Sequence, residues 1–243
     1  MDTDIESRIA YESPVAIWQS ESRFRIPGVV YRGQQRNYLL FEEMTPEMMP
    51  DKLIKLYESE KAKGNPVPTD APLIWAIATR AYELIDKNPE EAERLKDFLR
   101  TGFRRYPNTL TRIHYFSTND VFADNDSVVH NGNSDRYSLE EDALDTSDRY
   151  CLKGNVVGPN GRISEIPDQK VLELLLGTRN ISQINAVSQW INGTDFYIWR
   201  LNSEPEKFTK RAARLYINDC RLDLYCCGDL SCKYPAFRVL RVE

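Results

Sequence analysis

Four cysteines crowd one short stretch near the C-terminus, as Cys220-x5-Cys226-Cys227-x4-Cys232, while a fifth, Cys151, stands alone. Clustered thiols can hold zinc, pair as disulfides or act as nucleophiles. Structural zinc usually takes paired Cys-x-x-Cys spacing. That spacing is absent here, and no histidine lies close by. In an extended chain Cys226 and Cys227 point to opposite faces, so they do not readily share a metal. A local disulfide such as Cys227–Cys232 is a second option. An odd number of cysteines gathered at one end is not the disulfide framework of a small secreted fold.

The chain has only two histidines, His114 and His130. His114 sits in the strand-like run Ile113-His-Tyr-Phe, where a structural role is expected. His130 lies near Asp124 and Asp126, so a His/Asp metal site competes there with a solvated loop. Asp120, Asp124 and Asp126 lack the glycine and glutamate that complete a calcium loop. No phosphate loop, dinucleotide glycine pattern or serine elbow occurs. The expectation is a protein that is not an enzyme and has no catalytic residues, no metal and no cofactor.

The elements that would position these residues are legible from periodicity and breakers. Phe24 to Phe41 reads as extended, broken at Ile26-Pro-Gly and Arg32-Gly33. Thr45-Pro46 opens a helix in which Met49, Leu53, Leu56 and Tyr57 keep helical spacing, with Gly64 as its stop. After the turn-rich linker Asn65 to Pro72, a second helix runs Leu73 to Asp86. Its apolar stripe is Ile74, Ile77, Ala78, Ala81, Leu84 and Ile85. A third starts at Asn88-Pro89-Glu90-Glu91 and stops before Pro107. Thr111 to Phe116 is a strand. Asn119 to Ser147 is polar, a surface loop or an insertion. Tyr150 to Val157 is a strand, and Gly158-Pro-Asn-Gly161 a turn. Helices follow from Pro167 or Asp168 to Gly177 and from Ile181 to Ile191. Strands follow at Phe196–Leu201, Ala212–Ile217, Leu222–Cys226 and Phe237–Val242. The fold class is α+β, with helices dominating the N-terminal half and an antiparallel sheet built mainly from the C-terminal half.

Composition narrows the function classes. The 243 residues are 41% hydrophobic and 28% charged, an ordinary globular balance, and the net charge of -5 argues against a dedicated nucleic-acid binder. A basic patch at Arg100, Arg104, Arg105 and Arg112 reads as a solvated helix end. No apolar run approaches the roughly 18–20 residues of a membrane span, and Met1 to Ala10 lacks the pattern of a secretory signal. Asn180-Ile-Ser and Asn192-Gly-Thr match the glycosylation pattern, which means little without such a signal. Localisation stays open.

The C-terminal alternation carries most information. Leu215 and Ile217 share one face; Arg214, Tyr216 and Asn218 share the other. Leu222, Leu224 and Cys226 oppose Asp223, Tyr225 and Cys227 in the same way. One face is thus apolar, and the other is expected to expose Tyr, Asn, Asp and Cys. Such a mixture suits a recognition surface: Tyr gives contact area at low entropy cost, and Asn, Asp and Ser give adaptable hydrogen bonds. An ordinary polar sheet face is the alternative. From Arg211 through Cys232 no Lys, Glu, Gln, Met or Trp occurs. Those five types cannot be reached from the Asn codons AAC or AAT by changing adenines alone; the types present can. Several cysteines in an exposed region also lack a packing rationale.

These residues resemble the variable proteins of diversity-generating retroelements, archaeal ones included. The resemblance rests on Tyr197-Ile-Trp-Arg-Leu-Asn, Arg211-Ala-Ala-Arg-Leu, the Leu222/Leu224 segment and the ending Ala236-Phe-Arg-Val-Leu-Arg-Val. A weaker match upstream covers Tyr38-Leu-Leu-Phe-Glu-Glu and Gly64-Asn-Pro-Val-Pro-Thr. It implies one elaborated C-type-lectin-like domain over residues 1–243, with 211–242 as the variable ligand-binding region and 119–147 as an insertion. Core positions would be Trp199, Leu215, Leu222, Leu224, Phe237 and Val239. The ligand face would carry Tyr216, Asn218, Asp219, Cys220, Asp223 and Tyr225, then Cys227, Asp229, Ser231, Cys232 and Tyr234, with Lys233 fixed. The implied partner is a protein or glycan on a cell surface, with display at a cell or virion surface; neither nucleic acid nor a transmembrane segment is implied. Similar endings occur in formylglycine-generating-type enzymes, the competing reading, which would need a reactive cysteine pair in a cleft.

Overall fold

The computed structural model describes residues 23–115, 128–131, 156–167, 169–203, 209–218 and 220–243. Expectations for Cys151, Asp168, Asp219 and most of Asn119–Ser147 lie outside the described residues.

Strands β1 (Arg23–Tyr31) and β2 (Gln34–Phe41) form an antiparallel hairpin closed by Arg32 and Gly33, at φ 50° and 74°. Two successive left-handed residues match the turn to the twist of its strands, and glycine adopts that conformation without strain. Helix α1 spans Pro50–Ala62, four residues later than Thr45-Pro46 suggests. The reason is tertiary. Thr45 donates its N–H to the Ala236 carbonyl, and its hydroxyl accepts from the Ala236 N–H, both at 2.9 Å. Those bonds hold Thr45 to the far end of the chain, and Pro50 takes over as first helical residue.

After the short strand β3 (Val67–Pro68) come α2 (Ala71–Glu83) and α3 (Pro89–Phe103). Asp70 caps α2 by accepting from the Leu73 N–H at 2.8 Å, and Asn88 caps α3 from Glu91. Asp70 is buried and also accepts from the Tyr31 hydroxyl, with Arg32 3.5 Å away, so it ties the first hairpin to α2. The α2 stripe is buried from Ile74 to Leu84, while Ile85 packs at its margin. Each such Ile or Leu contributes on the order of 1.5–3 kcal/mol as an upper figure.

The remaining elements are β4 (Asn108–Tyr115), β5 (Val128–Asn131), β6 (Gly161–Arg162), α4 (Lys170–Leu176) and α5 (Ile181–Asn192), followed by β7 (Tyr197–Trp199), β8 (Thr209–Asn218), β9 (Arg221–Gly228) and β10 (Arg238–Val242). β5 lies within the stretch expected to be loop, and pairs with β4.

The fold is α+β, but the strands form two sheets, not one. One has the order β1-β2-β10-β3, the other β5-β4-β8-β9-β7-β6. β10 therefore leaves its sequence neighbours β8 and β9 and joins the N-terminal hairpin. The second sheet is also mixed, because β7 runs parallel to β9. Thr69 links the sheets: its N–H donates to the Phe237 carbonyl at 3.1 Å, and its carbonyl accepts from Leu110 at 3.0 Å. Buried side chains from both sheets and all five helices of the described residues form one cluster.

An aromatic cavity on the second sheet

Register fixes what the outer face of the second sheet displays. Trp199, Tyr225 and Arg214 align across β7, β9 and β8, and the next row is Tyr197, Asp223 and Tyr216. On the opposite face Ile198, Leu224 and Leu215 align and are buried, as are Leu222 and Ile217. The alternation read from the sequence therefore holds. Of the expected core positions, Leu215, Leu222, Leu224, Phe237 and Val239 are buried. Trp199 is not among them; it is half-buried and belongs to the outer face.

That outer face is less exposed than expected. Arg214 and Tyr216 are each 4% exposed and Asp223 1%. What covers them comes from elsewhere in the chain. Tyr106, just past α3, stacks on Tyr216 with ring centroids 4.9 Å apart, and lies 5.8 Å from Tyr234. Tyr106 holds φ 56°, a left-handed conformation costly for a large side chain, and is itself 39% exposed. Tyr225 meets Tyr216 edge-on at 5.4 Å and Trp199 at 5.9 Å. Together these rings surround a cavity of about 230 Å³, completed by Arg214, Asp229, Cys232 and Tyr234.

Arg214 is the polar centre. Its Nε donates to Asn108 Oδ1 at 2.8 Å and its Nη2 to the Asp229 carbonyl at 2.7 Å. The guanidinium lies over the Tyr234 ring, 4.8 Å from the centroid. Asn108 is buried and works as a hub. Its N–H donates to Pro235, and its Nδ2 to the carbonyls of Met48 and Tyr234. The same side chain thus orients Arg214 and anchors the segment after β9. Burial lowers the Arg214 pKa.

In β9, Tyr225 pairs with Arg214 but Gly228 pairs with Ala212, so Cys226 and Cys227 oppose Ala213 alone. Such a bulge bends the strand locally and increases its twist. A Cβ on Gly228 would sit 2.5 Å from the Ala212 carbonyl oxygen and 3.0 Å from Arg214 Cζ. Only glycine fits there without displacement.

Asp223 sits beside Tyr216 on the same face, as its cross-strand partner. Burial raises its pKa to about 6, against the pull of Arg221 and the Tyr216 hydroxyl, and its Oδ2 has no hydrogen-bond partner among the described residues. Burial likewise pushes Tyr225 up to about 12. The Asp229 carboxylate is held low, chiefly by the Ser231 N–H.

The expected ligand-face residues divide accordingly. Tyr216, Tyr225, Asp229, Cys232 and Tyr234 line the cavity. Asn218, Cys220 and Ser231 lie outside its lining, with Cys220 and Ser231 exposed. Asp223 is buried outside the lining, and Cys227 is half-buried on the bulge. The reading of the face missed three contributors. Arg214 shares the strand alternation of Tyr216, a signal that was present. Trp199 shows its position only through parallel pairing. No local signal brings Tyr106 here.

The cysteines do not make an activated pair. Cys220, Cys226, Cys227 and Cys232 are all free thiols. Cys226 points into the core, and burial raises the pKa of both Cys226 and Cys227. Raised thiols stay protonated near neutrality, whereas a nucleophile needs the thiolate. Among the described residues no three His, Cys, Asp or Glu side chains gather as a metal site, and no helix is long and apolar enough to cross a membrane. Of the expected basic patch, Arg104 and Arg105 are exposed but Arg112 is buried, its Nη1 donating to Thr109 and Thr111 carbonyls. No protein family, curated protein or solved structure matches the chain.

Proposed function

We propose that this chain is a non-enzymatic ligand-binding display protein that recognises its partner through the aromatic cavity on the second sheet. The observation that carries this reading is the convergence of Tyr216, Tyr225, Asp229, Cys232 and Tyr234 on one concavity. Four of them lie in the Arg211–Cys232 stretch that residue usage singles out, and Tyr234 follows it by two residues. Clustered Tyr and Trp rings around an Arg are the residue types that dominate binding energy at interfaces. Beneath them the apolar row of Leu215 and Leu224 provides a fixed base.

The wider reading is a C-type-lectin-like variable protein of a diversity-generating retroelement, displayed at a cell or virion surface against a protein or glycan. It is supported by the absence of Lys, Glu, Gln, Met and Trp from Arg211 through Cys232. In this scheme adenine-directed mutagenesis changes the cavity lining while the opposite face stays constant. The coding DNA tests it. The expected finding is a near-copy of the gene's 3′ end, differing only at adenines, beside a reverse-transcriptase gene. A locus without that repeat rules out diversification. Recognition is tested separately by tolerance: Tyr225→Ser and Tyr234→Ser should leave the fold intact, whereas Leu224→Ala should cost about 2–5 kcal/mol. Equal losses at the three positions would make the rings structural and remove the binding reading.

A further inference from the structure

We infer that the cavity takes a singly charged carboxylate carried on, or next to, one six-membered ring. The inference rests on the binding reading above and adds the chemical class of the ligand. Three observations lead to it.

Size comes first. The cavity measures about 230 Å³, below the roughly 300 Å³ at which pockets for drug-sized ligands begin. It accommodates one ring and a substituent. Tyr106, Trp199, Tyr225 and Tyr234 line it with ring surface, which favours a flat ring or the apolar face of a sugar.

Charge comes second. Arg214 is almost fully buried, yet among the described residues it makes no ion pair. Its two hydrogen bonds go to neutral oxygens, through Nε and Nη2. The Nη1 group has no acceptor among the described residues, although Arg214 lines the cavity. The Asp229 carboxylate acts on this guanidinium through its field but makes no contact ion pair with it, so one edge stays free to take an acceptor from a ligand. Arg112 feels the charge of Arg214 more weakly than that of Asp51, and Arg211 and Arg221 act on the nearby carboxyls Asp229 and Asp223.

Selectivity comes third. Asp229 lines the same cavity, and the Ser231 N–H holds its carboxyl below the usual carboxylate range. One carboxylate beside one available guanidinium edge admits a monoanion and disfavours a dianion such as a phosphate monoester. Any direct bond would run from Nη1 to the ligand oxygen.

The test uses the full chain and four probes: benzoate, glucuronate, benzyl alcohol and benzyltrimethylammonium. Binding is read from the Trp199 indole N–H resonance, assigned by its loss in Trp199→Phe, and from titration midpoints. Benzoate or glucuronate should bind at least about tenfold more tightly than benzyl alcohol, the ratio one charge-assisted hydrogen bond supports. Their relative strength identifies the ring as aromatic or saccharide. Arg214→Gln should remove the advantage. Because that variant also loses buried contacts, Asp229→Asn serves as an exposed control, and should tighten the carboxylates severalfold. Equal binding of benzoate and benzyl alcohol, with Arg214→Gln and Asp229→Asn both silent, overturns the carboxylate while leaving the aromatic cavity as a binding site. Tighter binding of the ammonium probe overturns it in favour of Asp229 as the anchor. No response at Trp199 to any probe overturns the inference and the cavity reading together.

Discussion

Replacing Asp223 by Asn isolates one electrostatic cost built into the site. The wild-type carboxyl is buried beside Tyr216, and burial raises its pKa to about 6 from 3.8 for the free side chain. A gap of about 2 units corresponds to roughly 3 kcal/mol. Solvent screening around the site reduces the usable part to roughly 1–2 kcal/mol. The sign follows from linkage. A carboxyl whose folded pKa is raised favours the folded state only while protonated. Its contribution is full below about pH 4 and is lost as pH rises through about 6. Asn keeps an oxygen to accept from Tyr216 but carries no titratable proton. Thermal unfolding of both proteins, followed by circular dichroism from pH 4 to 8, cancels every other titrating group. Asp223→Asn should gain about 2–8 °C on the wild type between those limits, at roughly 2–4 °C per kcal/mol for a chain of this size. A Tm difference constant across the range would refute the reasoning.

Gly228→Ala should destabilise by about 2–4 kcal/mol in urea, because its Cβ meets the Ala212 carbonyl oxygen at 2.5 Å; a change under about 0.5 kcal/mol would mean the bulge relaxes freely. Asp70→Ala removes the α2 cap together with the acceptor of the buried Tyr31 hydroxyl, and should cost about 3–5 kcal/mol in the same assay. Alkylation followed by peptide mapping should label exposed Cys220 first and leave Cys226 untouched until the chain unfolds. Cys227 should react at pH 7 more slowly than a free cysteine, since burial raises its pKa. A Cys227 rate above that of free cysteine at pH 7 would point to an activated nucleophile and favour the enzyme reading.

Local chemistry made much of the fold legible. Arg32-Gly33 marks a turn wherever it occurs between extended runs, and Asn88-Pro89 starts a helix through its own side chain. Errors arose where a distant partner overrode a local preference. Thr45-Pro46 reads as a helix start, yet Thr45 is bonded to Ala236 across the molecule. Phe237–Val242 reads as the next strand of a C-terminal sheet, yet β10 pairs with β2. Adjacency in sequence predicts neither choice, because both depend on contacts some 190 residues apart.

The candidate site divides along the same line. By itself the sequence determined the two faces of β8 and β9, because side chains alternate along any strand. It therefore put Leu215 and Leu224 on one side, and Tyr216 and Tyr225 on the other. Alternation says which residues share a face but not what comes to lie over it. Tertiary structure alone decided that Tyr106 closes over Tyr216, that parallel pairing of β7 sets Trp199 beside Tyr225, and that Asn108 aims Arg214 at the space between. Those three contacts turned an expected exposed face of Tyr, Asn, Asp and Cys into a cavity with a buried charge.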